Sequence, residues 1–160
     1  MTASGPVADA QVTGGARLAD LESIRALAIT YCHALDNEDV TLLKSVYWPE
    51  ATDDHGSLFT GRAWDFADVF VSKRERVRPT MHVVFNHLVH FDENLDLAEG
   101  VVSGAGYQFA HALRPPRTRV VLGRYVDVYQ RRSGEWRILS RRFTVAGTMT
   151  ETAALPTKER

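Results

Sequence analysis

The strongest constraint on the fold lies in the second half of the chain. From Thr80 onward the residues form four β-branched or aromatic runs, 80–91, 97–113, 119–131 and 135–147. The turn signals DENLD, RPPRT and RSGE separate them, a pattern that predicts antiparallel strands. Before Thr80 the period changes. Leu21, Ile24, Leu27, Ala28, Tyr31 and Leu35 recur at spacings of three and four and predict one amphipathic helix over 18–36. Asn37 is a stop, Asp39 caps a second short helix carrying Leu42, Leu43 and Val46, and Pro49 ends it. Residues 51–55 read as a short strand before a turn at Gly56, and 61–76 return to helical spacing through Trp64, Ala67, Asp68 and Val71. Three helices ahead of an antiparallel run predict an α+β fold, with the helices packed on one face of a strongly curved sheet.

Composition narrows the partners. A chain of 160 residues with 44% hydrophobic and 24% charged residues suits one globular domain, expected over 18–148 between a disordered tail at 1–17 and a second tail at 149–160. The formal net charge of -1 gives no electrostatic reason to expect nucleic acid or an anionic membrane, so the expected partner is a small molecule or a protein. Cys32 is the sole cysteine, which removes an intramolecular disulfide and a cysteine-based zinc site and fits a reducing cytoplasm. No apolar run in the N-terminal stretch is long enough for a signal peptide or a membrane span. Val120, Leu122, Val126 and Val128 alternate to make one sheet face apolar, which suits a homo-oligomer, a dimer or a trimer.

Three phrases carry a family likeness: YCHALDNEDVTLLKSVYWPEA, MHVVFNHLVHFD and YQRRSGEWRILSRRFTV. With the order of elements they resemble the SnoaL-like branch of the nuclear transport factor 2-like superfamily over residues 18–148. Within it they are similar to the cofactor-free lyases bile acid 7α-dehydratase, hexachlorocyclohexane dehydrochlorinase and scytalone dehydratase. The resemblance implies a cone-shaped α+β barrel, a bent sheet wrapped around helices with a deep apolar pocket inside. It also implies a helix-end aspartate paired with a strand histidine, with a polar residue five positions before the aspartate; Asp36, His82 and Tyr31 occupy those places. An arginine five residues after the last-strand tryptophan completes the dehydrochlorinase pattern, which selects Arg141 beside Arg142, and the same pattern places Asp53 on the pocket wall.

The chemistry can be argued from the residues themselves. Histidine, with an ordinary pKa of about 6.5, is the side chain best suited to take a proton near neutral pH, so His82 is the expected base. Asp36, at the negative end of a helix dipole, would fix the His82 tautomer and stabilise its positive charge. Tyr31 lies on the apolar stripe of its helix, where a buried phenol needs a polar partner such as a substrate oxygen. Arg141 would stabilise the anion on a leaving hydroxide or an enolate. Asp53, His55, Trp64, Asn86, Tyr107 and Tyr125 are the expected substrate-binding residues. Asp53, His55, His82, His87 and His90 do not have the spacing of a known metal motif, and His82 and His87 fall on opposite faces of one regular strand, so no metal and no cofactor are expected. These residues point to a lyase of dehydratase type acting on a hydroxylated hydrophobic molecule such as a steroid, polyketide or aromatic compound. The alternatives are a ketosteroid-isomerase-like isomerase, a formaldehyde-releasing retro-aldol lyase, and a noncatalytic binding or oligomerisation module.

Overall fold

The computed structural model describes residues 15–73, 79–93, 96–110 and 117–152. Of the tails expected at 1–17 and 149–160, residues 1–14 and 153–160 lie outside the described residues, as do residues 74–78. Helix α1 (Gly15–Asp36) is followed by α2 (Val40–Ser45), β1 (Tyr47–Asp54), β2 (Thr60–Arg62) and α3 (Ala63–Lys73). Four long strands complete the chain: β3 (Thr80–Phe91), β4 (Leu97–Ala110), β5 (Arg117–Arg132) and β6 (Glu135–Thr152).

Local chemistry explains the helix boundaries. The Asp39 carboxylate accepts from the Leu42 N–H at 2.9 Å and caps α2. Glu38 takes the positive φ of 56° that reverses the chain between the two helices. Pro49 lies inside β1 rather than ending α2, because the chain is already extended from Tyr47, whose strand pairs with β6. The helical spacing from Gly61 gives way to the three-residue strand β2, which pairs antiparallel with β1 before α3 begins at Ala63.

The strands form one mixed sheet of six, in the order β2-β1-β6-β5-β4-β3. β1 runs parallel to β6, while the other pairs are antiparallel. This corrects the expected cone-shaped barrel with its strongly curved sheet, while the mainly antiparallel pairing is as expected. β2 and β3 stand at opposite ends of the strand order with no pairing between them, so the sheet stays open and does not close into a barrel. Helices and sheet share one core, in which Ile24, Tyr31 and Leu35 of α1 and Phe66 of α3 pack with Ala98, Tyr129 and Ile138 of the sheet. On the other face of β5, Val126 is exposed.

Two register shifts decide which side chains reach the helix-covered face. On β3, Val84 pairs with Gly104 and Asn86 with Ser103, leaving Phe85 as an extra residue. The shift turns His87 onto the face that already holds His82, so the two histidines are not on opposite sides as regular alternation requires. On β6, Ile138 pairs with Tyr129 and Ser140 with Val128, leaving Leu139 extra. Regular alternation from Trp136 and Ile138 would bring Arg142 inward. The shift brings Arg141 inward instead and leaves Arg142 exposed.

β4 meets this face with small residues. A Cβ on Gly104 would stand 2.5 Å from the Val83 carbonyl oxygen, and one on Gly106 would stand 3.1 Å from the His82 ring. The Gly104 contact is with backbone, which cannot rotate away. Gly104→Ala is therefore expected to lower the unfolding free energy by about 1–3 kcal/mol in denaturant titrations. Gly147→Ala, whose Cβ would meet nothing within 4 Å, should stay within about 0.5 kcal/mol of the parent.

Candidate active site

α1 ends where β3 begins its pairing, and the two ends exchange hydrogen bonds. His82 Nδ1 lies 2.6 Å from Asp36 Oδ1, the His82 backbone N–H donates to Asp36 Oδ2 at 2.8 Å, and the Thr80 hydroxyl donates to Oδ1 at 2.8 Å. Asp36 is the last residue of α1, where the helix dipole disfavours a negative charge. Three donors from one strand offset that and fix the carboxylate against the ring. With Nδ1 engaged, Nε2 is on the side of the ring that passes over Gly106, 3.2 Å from the position of a Cβ there.

Arg141 lies deeper. Its Nε and Nη2 donate to the two carboxylate oxygens of Asp127 at 2.8 and 2.6 Å, and both side chains are essentially sealed from solvent. Burial works against the charge, but the Asp127 carboxylate and then Tyr47 more than offset it and hold the guanidinium ionised. Its plane also lies 4.2 Å from the Tyr31 ring centroid and 4.5 Å from that of Tyr125. Nη1 is buried without a hydrogen-bond partner among the described residues. Behind the pair, the Tyr129 hydroxyl donates to Asp127 at 2.7 Å and lies 3.0 Å from His87 Nε2. Because that hydroxyl's one proton goes to Asp127, His87 Nε2–H is the donor to the tyrosine oxygen. Burial pushes the His87 pKa down.

A second carboxylate–imidazole pair sits at the end of β1. His55 Nδ1 is hydrogen-bonded to Asp53 Oδ1, and the Tyr47 hydroxyl donates to Asp53 Oδ2 at 2.6 Å. His55 Nε2 faces the Tyr31 hydroxyl at 3.4 Å. The imidazole stacks on Phe66 at 4.6 Å with an interplanar angle of 9°. Tyr31 therefore reaches the His55 pair rather than Asp36, and burial, reinforced by Tyr125, Tyr47 and Asp53, keeps its phenol protonated.

Both histidine pairs open on one cavity of about 490 Å³. His82, His55, Tyr31, Tyr125 and Arg141 line it, among apolar neighbours such as Leu35, Phe66, Val84, Val121 and Phe143. Asp36 and Asp53 stand behind their histidines. Three expected binding residues are elsewhere. Trp64 donates its indole N–H to the Lys44 carbonyl at 3.1 Å. Asn86 is exposed just after the β3 register shift. Tyr107 alternates to the strand face opposite Gly106 and stacks with Phe109. Cys32 lines the cavity as a neutral thiol, pushed up to about 11 by burial. Among the described residues no three His, Cys, Asp or Glu side chains come together as a metal ligand set, and no described helix is long and apolar enough to cross a membrane.

Sequence reasoning missed Asp127, Tyr129, Tyr47, Thr80 and the inward His87. A signal existed for the first two: the phrase VDVY sets an acid and a tyrosine on one face of an otherwise apolar strand, where an acid needs a buried partner.

The SnoaL-like domain family matches residues 16–142. No protein of curated function matches the chain. Among solved structures, a type 2 hexachlorocyclohexane dehydrochlorinase (LinA) aligns with a TM-score of 0.76 at 18% identity, covering 88% of this chain and 97% of its own. The type 3 enzyme from Novosphingobium barchaimii LL02 aligns with a TM-score of 0.76 at 18% identity, over 89% and 98% of the two chains. A Novosphingobium aromaticivorans protein assigned as a scytalone dehydratase aligns with a TM-score of 0.72 at 16% identity, over 88% and 91%. At these identities the likeness is one of fold.

Removing Asp127 leaves the Arg141 charge buried and unpaired. Asp127→Ala should cost about 3–5 kcal/mol of stability, more than the paired replacement of Asp127 and Arg141 by apolar residues, as read in denaturant titrations. His87 gives a pH signature. Its pKa is lowered on folding, so its contribution is present above the unfolded value of about 6.5 and is lost as pH falls through the folded one. His87→Gln should flatten the fall of Tm with acidification.

Proposed function

This chain belongs to the SnoaL-like domain family, and we propose that it is a cofactor-independent lyase that dehydrates a hydroxylated, hydrophobic small molecule of steroid, polyketide or aromatic type. One observation carries the reading: an imidazole tied to a carboxylate on the wall of an apolar cavity. Asp36 holds the Nδ1 tautomer, which makes Nε2 of His82 the basic nitrogen, and it stabilises the imidazolium once the ring is protonated.

Nε2 takes a proton from the carbon next to a substrate carbonyl. The electron pair moves onto the carbonyl oxygen, where the fixed positive charge of Arg141 in the cavity wall stabilises the developing enolate. Collapse of the enolate forms the carbon–carbon double bond, breaks the bond to the neighbouring hydroxyl, and releases it as water once it gains a proton. The Tyr31 phenol assists that departure. Apolar walls lower the local dielectric, so the few fixed donors act more strongly than in water. Hexachlorocyclohexane dehydrochlorinases and a protein assigned as a scytalone dehydratase share the fold and are named for eliminations, which supports the reaction class.

Turnover of a panel of hydroxylated steroids, polyketides and aromatic β-hydroxyketones tests the reading. His82→Ala and Asp36→Asn should each lower the rate on a converted substrate by on the order of 100-fold or more, with circular dichroism spectra unchanged. Near-parental rates in both variants contradict it.

A further inference from the structure

We propose that the Asp53–His55 pair is a separate acid catalyst, which delivers a proton through the Tyr31 hydroxyl to the departing oxygen while His82 takes the proton from carbon. The inference rests on the lyase reading and adds to it a second proton path at the opposite task.

The geometry supplies each link. Asp53 is buried with both oxygens occupied, one by the Tyr47 hydroxyl and one by His55 Nδ1. Asp53 thereby holds the His55 ring by Nδ1 and leaves Nε2 as its outward nitrogen. His55 Nε2 points at the Tyr31 oxygen, 3.4 Å away, a separation that a bound substrate can close. The Tyr31 hydroxyl is buried and protonated and is hydrogen-bonded to Tyr125, the acceptor whose place a substrate oxygen takes. Other titratable groups around His55 are Tyr47 and Asp54 of β1, Cys32 of α1, Tyr125 of β5 and Arg141 of β6; Phe66 of α3 and Phe143 of β6 face it with uncharged rings. Arg141 lies over the Tyr31 ring and favours passage of its proton to a substrate oxygen.

The step balances. The carbon–oxygen bond breaks with its electron pair on oxygen, which takes the Tyr31 proton, and Tyr31 takes the Nε2 proton of His55. Water leaves, Tyr31 is unchanged, His55 ends neutral and His82 ends protonated. Exchange with solvent resets both rings. His82 is not required to carry the same proton across the cavity, so the acid is in place when the enolate collapses.

A leaving-group comparison tests this. The probes are the water adduct of benzylideneacetone and its chloride analogue, both of which yield the same conjugated ketone. Chloride leaves without protonation, whereas hydroxide does not. His55→Gln and Tyr31→Phe should each slow loss of water by about 100-fold or more, and loss of chloride by less than about tenfold. The double variant should be no slower than the slower single one, because the two act in one relay. His82→Ala should slow both substrates alike. If it does and His55→Gln slows both equally or neither, the relay is wrong and the lyase reading stands. If His82→Ala slows neither, the lyase reading fails and the relay with it.

Discussion

The ion pair between Arg141 and Asp127 is the constraint around which the site is built. Two full charges with almost no solvent contact are costly unless geometry and secondary hydrogen bonds are close to ideal. The structure meets that demand from several elements at once. β5 and β6 are in register at this pair, and Asp53 of β1 is the cross-strand neighbour of Arg141 on its other side. Tyr129 holds Asp127, and His87 of β3 holds Tyr129. α1 contributes the Tyr31 ring over the guanidinium. The fold and the site are therefore one requirement: a slip of any of these strands would leave a charge buried and alone. The same rigidity gives a fixed positive group facing an apolar cavity, which is what stabilisation of a developing anion needs.

Asp36 and His82 follow a different logic. Their contact is made at the α1–β3 junction, by donors from Thr80 and His82, two residues apart on one strand, and it depends on where the helix ends more than on the core. Both residues were singled out by the family resemblance, which pairs a helix-end aspartate with a strand histidine. Beside them β4 carries Gly104 and Gly106, and the groups that come close there are Val83 and the His82 ring.

What sequence did not disclose is the registry of the strands. The number and order of the helices and of the four long strands followed from spacing and turn residues, whereas the open mixed sheet did not, because β1 finds its parallel partner at the far end of the chain. The faces of His87, Arg141 and Arg142 depend on single extra residues, Phe85 and Leu139, for which alternation has no signal. Trp64, Asn86 and Tyr107 looked like pocket residues by type, and each is committed elsewhere by alternation or by a backbone hydrogen bond. Asp53 and His55 were legible as a pair on one segment. Their partners Tyr47 and Tyr31 were not, since the first lies on the far side of a register shift in β1 and the second on a helix.

The central claim is that His82, held by Asp36, removes a proton from carbon. Deuterium incorporation from heavy water into the carbon next to the carbonyl of benzylacetone measures that step alone, since this ketone has no leaving group. The account predicts that the enzyme accelerates exchange and that Asp36→Asn slows it by on the order of 100-fold. Exchange that is absent in the parent protein, or equally fast in the variant, would contradict it.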